Sequence, residues 1–559
     1  MKKIIYHITI CAVFMAAGNS CTRKLEEENH SKLTESFFST SDGIDKGVNA
    51  VYAGLRELYG PEEGLEAFTV VGTDEFRIAN GNRTTNVANY NSSYTPANEF
   101  SARVWNSSYK YINTCNGLVD FGENITGLTD VQKKAKIAEA KFLRAFLYFK
   151  LAQFFGDVTL NTHYSNSPNT AAERNKIADV YNFIIDDLKT CITDLTPSPQ
   201  QNGVLPGKAS AAAARHLLAL VYLTRGWSPS AQTDDFQNAF DMAKGLIDAA
   251  PSLGLGLLDN YGDVHKPLNE NNREVLFNVQ YSKDLTYGGN HSWNHLYVDL
   301  YPNQLGERNV NDGRSYGWYR ATKWLYDTAF ADKVNDIRYF KTFQSVWIAT
   351  KPLSGTYTVN VGGTNYTLNY NFQKGDTAMY MPGFNMPASQ MQNRKYYIYT
   401  PETYTNSTIY PTMTKYLDPN RDVPNENSHR SIIVFRLAET YLVAAEAALK
   451  LGRPADAATY INAIRRRAAV PGHQLQMEIT PADVTIDYIL DERTRELCAE
   501  NIRWLDLVRT DKLLERVKKH DDWEARNNIQ EFHKLRPIPQ SQIDAIITGT
   551  PYPQNMGWK

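Results

Sequence analysis

Apolar side chains recur at helical spacing over Ser41–Tyr59. Val48, Val51, Tyr52, Leu55 and Leu58 share one face there, which predicts a capped amphipathic helix. Residues 105–119 repeat the pattern through Tyr109, Ile112, Asn116 and Val119. Residues 137–155, IAEAKFLRAFLYFKLAQFF, are apolar nearly all the way round, so this helix belongs in the interior of a helical assembly. It stops at Gly156-Asp157, a fitting C-cap. Helices are expected over 180–195 and 209–225, the second paired with another over 236–249, whereas 69–98, rich in Asn, Thr and Gly, reads as a loop.

From about residue 252 to 427 the periodicity weakens and Gly, Asn, Tyr and Trp become frequent. Within this stretch TYTVNVGGTNYTLNYNF, residues 356–372, alternates and predicts a β-hairpin turning at Gly362-Gly363. Helical texture is expected again from Arg430 to about Val517. Ala445, Gly452 and Ala457 fall at the close-contact offsets of a tetratricopeptide repeat. Ala219, Gly226 and Ala239 do the same given an inserted loop; ordinary helical hairpins are the other reading. The chain thus divides into a helical region 37–251, a loop-rich insertion 252–427 with short β-hairpins, and a helical region 428–559.

The first 20 residues stand apart. Lys2 and Lys3 precede a core of roughly 14 apolar residues, too short to span a bilayer, and a small-residue zone follows, so 1–20 reads as a signal peptide. Gly18-Asn19-Ser20-Cys21 resembles a bacterial lipobox, with Gly18 where an apolar residue is favoured; the alternative is simple secretion. In the lipobox reading Cys21 is lipidated and becomes the first residue. Several acyl chains, each buried methylene adding about 0.8 kcal/mol, then fix the protein to the membrane. Residues 21–36 form a polar tether, and Lys24-Leu25-Glu26-Glu27-Glu28 resembles the acidic tract that sends some lipoproteins of the Bacteroidetes to the outer face of the outer membrane.

A net charge of −2 leaves no basic excess for nucleic acid. Beyond Cys11 and Cys21 only Cys115, Cys191 and Cys498 remain, which allows at most one bridge and supplies no paired-cysteine zinc signature. With 34 Tyr, 23 Phe and 9 Trp, the aromatic content tilts toward flat rings with polar tips, a composition that suits a wet binding surface. Catalytic signatures are missing. The stretch from Gly203 to Lys208 lacks the spacing and the hydroxyl of a phosphate loop, and no zinc-protease or nucleophile-elbow motif occurs. His291 and His295 could share a metal on a helix, but GGNHSWNHLY is poor helix material, so no metal and no cofactor are expected. In DERTRELCAENIRWLDLVRT, residues 491–510, Glu492, Glu496 and Glu500 stack on one helical face, with Arg493, Arg495 and Arg503 at compensating offsets. This reads as a charge lattice locking the helix to its neighbours, the alternative being one glutamate serving as a catalytic acid. Arg465-Arg466-Arg467 ends a helix, where cations suit the negative end.

Several segments together resemble the SusD/RagB proteins, surface lipoproteins of the Bacteroidetes. AEAKFLRAFLYFKLAQFFGDVTL resembles their early-helix signature, with VYNFIIDDLKTCITDL and GKASAAAARHLLALVYL following in family order. FRLAETYLVAAEAALKLGRPADAATYINAIRRRA, ILDERTRELCAENIRWLDLVRT, LRPIPQSQI and PQNMGW resemble the C-terminal blocks, the last with Met556 in place of proline. The resemblance covers nearly the whole chain after the leader. It implies a mainly α fold with tetratricopeptide-repeat-like helix pairs and a loop-rich insertion carrying the ligand face. It implies no catalysis and no cofactor. The expected function is capture of a glycan, or in some members a peptide, for a SusC-like TonB-dependent outer-membrane transporter. The expected location is the outer membrane, lipid-anchored and facing outward.

Sugars offer C–H faces to aromatic rings and hydroxyl edges to Asn, Asp and Arg, and loops on a rigid scaffold gather such residues. Three loops qualify. Residues 72–100 carry Asp74, Arg77, Arg83, Tyr94 and Asn98, and in the family this loop lies near the ligand. SWNHLY carries Trp293 and Tyr297, and GRSYGWYRATKW carries Tyr316, Trp318 and Tyr319. Each ring either faces cargo or packs under its own loop. Trp105, Trp324 and Trp504 lie on helical patterns and are expected in the core. Replacing Trp293 and Trp318 by Ala is expected to abolish glycan retention with thermal stability nearly intact. A surface hydrolase and an adhesion protein are the competing readings.

Overall fold

The computed structural model describes residues 35–60, 64–284, 288–404 and 408–559. The leader, Cys21 and most of the tether lie outside the described residues. The elements that matter here are, in chain order, α1 (Ser41–Tyr59), β1 (Phe76–Ile78), α2 (Glu99–Gly122), α3 (Asp130–Phe155), α4 (Ile177–Cys191), α5 (Ala211–Trp227), α6 (Asp235–Ala249), β2 (Val275–Val279), β3 (Tyr319–Ala321), β4 (Leu353–Val361), β5 (Thr364–Phe372), β6 (Ile432–Arg436), α7 (Leu437–Lys450), α8 (Pro454–Arg467), α9 (Ile486–Leu497) and α10 (Arg503–Arg509). Helix dominates, and the described strands form separate small sheets of two or three strands. The fold is mainly α, with the loop-rich insertion carrying most of the strands.

Local chemistry explains the helix ends. Thr40 accepts from the Gly43 N–H to cap α1, Asn98 accepts from the Phe100 N–H to cap α2, and Thr129 forms a reciprocal capping box with Gln132 on α3. Gly156 ends α3 at φ 73°, a conformation that favours glycine. Between residues 137 and 155 only Glu139, Lys141 and Gln153 escape full burial, so α3 is the central strut of the N-terminal half. Trp105, Trp324 and Trp504 are buried.

The helix pairs use small residues as the offsets suggest, with one difference. Ala219, Ala239, Ala445 and Ala457 are fully buried. A Cβ on Gly226 would lie 2.9 Å from the Phe236 ring, a true close approach. Gly452 has open space around its Cα and a φ of +72°; it makes the turn between α7 and α8 and no close helix contact. α7 packs on both α5 and α6, and β2 pairs with β6, so one hydrophobic cluster runs from Phe38 to Trp558 through all three regions.

Two local readings change. The helical texture expected from Arg430 begins instead with β6, because Ile432, Ile433 and Phe435 pair antiparallel with β2. In the expected loop 69–98, Phe76–Ile78 forms β1, paired with β3. The hairpin is as expected: β4 and β5 pair in unbroken register from Leu353↔Phe372 to Val361↔Thr364 around Gly362 and Gly363, both at positive φ.

The charge lattice is real and its glutamates are buried, but apart from the Arg495–Glu492 pair its partners come from other elements. Glu492 receives Arg338 at 2.8 Å, Arg465 at 2.9 Å and Arg495 at 2.9 Å. Glu496 receives Arg436 at 2.6 Å, Arg338 at 3.2 Å, and Arg467. Helix α9 ends at Leu497, and Glu500 lies beyond Ala499, whose φ is 61°; there it holds Arg436, Lys415 and His265. Arg493 reaches Glu439 and Asp506, and Arg503 reaches Asp74, so neither makes the expected compensation within its own helix. All three of Arg465, Arg466 and Arg467 are engaged by glutamates.

Candidate functional site

The three loops singled out in the sequence meet at one place. Backbone pairing of β1 with β3 sets Phe76↔Ala321, Arg77↔Arg320 and Ile78↔Tyr319, and the Ala79 N–H donates to the Trp318 carbonyl at 2.8 Å, extending the ladder. The SWNHLY segment lies beneath: the Gly317 N–H donates to the Val298 carbonyl, and the Arg314 N–H donates to Nδ1 of His295. Alternation along a strand sorts the side chains into two faces.

The inner face is core. Trp293 is 1% exposed and meets Tyr416 edge-on at 5.0 Å. Tyr297 is packed between Phe76 at 5.1 Å and Tyr319 at 5.5 Å, and the Tyr319 hydroxyl lies 3.1 Å from that of Thr84. Trp293, Tyr297 and Tyr319 therefore support the site and have no face to offer a ligand at the surface. Buried His291 donates from Nε2 to the Arg430 carbonyl at 2.9 Å. Burial holds the pKa of His291 at about 4 and that of His295 at about 3, so both are neutral.

The outer face carries Arg77, Trp318 and Arg320. Tyr316 and Trp318 are half-buried and lie 4.5 Å apart with their planes 32° from parallel, and the Arg314 guanidinium sits 4.8 Å over the Tyr316 ring. Arg77 pairs with Asp522 at 2.8 Å and lies 4.9 Å under Trp523, which is 43% exposed. Burial lowers the Arg77 pKa; Asp522 opposes this and Arg320 adds to it. Asp522 also lines a groove of 730 Å³ with Lys323, Trp324, Asp487, Arg516 and His520.

The remaining candidates lie elsewhere. Asp74 is fully buried, gripped by Arg503 at 2.5 and 2.7 Å. Tyr94 is buried edge-on against Trp558 at 4.8 Å. Asn98 is spent as the α2 cap. Arg83 is exposed and bridges to Glu99 at 2.7 Å. Arg320 and Trp523 were not singled out in the sequence. The alternation Trp318-Tyr319-Arg320-Ala321 carries a signal for the first; the second is brought in by a long-range contact with no local signature.

A family model described as the SusD family matches residues 263–558. The chain belongs to the SusD family. A second model, described as starch-binding and associating with the outer membrane, matches 24–223. Among SusD relatives, SusD-like protein P25 of Formosa agariphila is 26% identical over 97% of this chain and 96% of its own length. Starch-binding protein SusD of Bacteroides thetaiotaomicron is 25% identical over 78% of this chain and 76% of its own. The fold matches a SusD homolog from Bacteroides thetaiotaomicron with a TM-score of 0.71 at 18% identity, covering 94% of this chain and 98% of that one. A laminarin-binding SusD-like protein matches with a TM-score of 0.64 at 21% identity, covering 93% and 100%.

Proposed function

We propose that this SusD-family protein captures a glycan at the cell surface and delivers it, chemically unchanged, to a SusC-like TonB-dependent transporter. The observation that carries this reading is the closely packed, tilted Tyr316–Trp318 pair, half-buried on the outer face of β1/β3 beside arginine side chains. A sugar ring lies flat on such a platform while guanidinium groups bond its oxygen edges. The starch-binding and laminarin-binding relatives support a glycan as cargo. The family description and the Cys21 lipobox resemblance support lipid anchorage at the outer membrane. Among the described residues no helix is long and apolar enough to cross a membrane.

Affinity electrophoresis through gels containing single polysaccharides tests capture, and assay of new reducing ends tests catalysis. Retention without new ends is expected, as is a β-barrel transporter in pull-downs from outer membranes. Steady release of reducing ends would replace this reading with a hydrolase. Retention of peptides and of no glycan would replace it with peptide capture.

A further inference from the structure

Arg320 is 8% exposed, and its Nε is buried with no hydrogen-bond partner. Among the described residues no carboxylate lies within ion-pair distance of its guanidinium. Arg77 has Asp522, and Arg503 and Arg516 share Asp74, whereas the buried Arg421 and Arg536, also without a carboxylate, donate to backbone carbonyls. The register places Arg320 directly opposite Arg77, so two like charges lie side by side, and the close counter-ion, Asp522, is held by Arg77.

Neither of the other acids nearby pairs with it, and in each of them Oδ2 is buried without a hydrogen bond. Oδ1 of Asp521 accepts from the Trp523 N–H. Asp299 accepts from the Thr412 hydroxyl, and burial pushes its pKa well above the usual carboxylate range. The hydroxyl of Tyr410, a fully buried side chain that feels the charge of Arg320, also lacks a hydrogen-bond partner. A desolvated guanidinium is normally paired, because removing its partner leaves an uncompensated buried charge. Its fork of N–H donors matches a carboxylate or sulfate better than a neutral hydroxyl.

Resting on the glycan-capture reading, we propose that the captured glycan is acidic and that Arg320 receives its carboxylate or sulfate group, with the Tyr316–Trp318 platform holding the neighbouring ring. Arg77, tied to Asp522 and roofed by Trp523, keeps the local potential positive without giving up its own partner.

The test compares the wild type with Arg320→Gln and Arg320→Lys on three panels: uronate polymers (polygalacturonate, alginate), sulfated polymers (carrageenan, dextran sulfate) and neutral polymers (laminarin, starch, dextran). The wild type is expected to be held by an acidic panel, the uronate and sulfate arms telling the two anions apart. Arg320→Gln should weaken that retention about tenfold or more, the loss of one charge-assisted hydrogen-bonding group. Arg320→Lys, which keeps charge without the fork, should fall between. The melting temperature of Arg320→Gln should equal or exceed that of the wild type, because no partner is orphaned. Acidic retention unchanged in Arg320→Gln would overturn the assignment, as would retention of neutral polymers or acidic peptides alone. A fall of many degrees in melting temperature would make Arg320 a structural residue and also overturn it. If no glycan of any panel is held, glycan capture itself fails and this inference falls with it.

Discussion

Arg503 grips Asp74 through both guanidinium edges, Nε to Oδ1 at 2.7 Å and Nη2 to Oδ2 at 2.5 Å, although the two residues are 429 positions apart. The pair fastens the loop that leads into β1 to the C-terminal helices. Although burial alone would raise it, the Asp74 pKa lies below its usual value because Arg503 and then Arg516 stabilise the carboxylate. Asp74→Ala should therefore strip buried Arg503 of its close counter-ion, leaving Glu75 at 3.6 Å, while Arg516 keeps Asp491 and Asp487, and should cost about 3–5 kcal/mol of stability. Denaturant unfolding checks the cost. Glycan retention per folded molecule should change little, since Asp74 does not reach the outer face.

The two tryptophans that the sequence offers as glycan platforms, Trp293 and Trp318, separate by burial. Trp293→Ala removes a ring that is 1% exposed and wedged among Tyr59, His291 and Tyr416, so it should cost about 3–5 kcal/mol. This corrects the expectation of near-intact stability. Trp318→Ala removes a half-buried ring packed 4.5 Å from that of Tyr316, and about 1–2 kcal/mol is expected there. Retention in polysaccharide gels should be lost for Trp318→Ala, and for Trp293→Ala only in proportion to unfolding. Circular dichroism melts run beside the gels separate the two outcomes.

How far the sequence reaches depends on the range of the interaction that decides each feature. α1 was legible to its ends because its periodic face is a local signal, and the structure adds Thr40 as its cap. The β4–β5 hairpin was legible because alternation and a Gly-Gly turn are local signals. β6 was missed because its partner β2 lies in the insertion, and a short apolar run ahead of a helix looks helical by itself. Gly452 was misread because a small residue between helices serves equally well for contact or for a left-handed turn. In the site, the three loops were found by composition, but composition does not tell which ring faces outward. That was decided by the β1/β3 register and by the segment carrying Asp522 and Trp523, both long-range.

Acid should destabilise the protein steeply through its buried carboxylates. Burial alone would raise the pKa of Glu439, yet the His216 and Arg493 partners bring it down to about 2. Glu492, Glu496 and Glu500 are likewise held below the usual range by their arginine, lysine and histidine neighbours, against the effect of burial. A depressed folded-state pKa gives stability that is complete above the unfolded-state value, about 4.3, and disappears as pH falls toward the folded value. Urea midpoints should thus fall progressively between about pH 5 and pH 2. In Glu439→Gln the midpoint should be lower at pH 7 and the slope with pH shallower. An unchanged slope would show that Glu439 does not contribute to the acid response.

Glu75 should act with the opposite sign. It is buried beside Arg503 at 3.6 Å, and its Oε2 accepts from the Ala499 N–H at 3.2 Å. Burial raises its pKa to about 7, Asp74 adds to the rise, and Arg503 offsets only part of it. A carboxyl with a raised folded-state pKa favours folding most when both states are protonated, below about pH 4. That contribution is lost as pH climbs from the unfolded value to about 7, because the unfolded chain ionises first. Glu75→Gln keeps an acceptor for Ala499 and removes the ionisation. The variant should match the wild type near pH 4 and exceed it by a few kcal/mol at pH 8. Paired urea titrations at the two pH values measure the difference directly, and equal gaps at both would mean that Glu75 has the same pKa in the folded and unfolded chain.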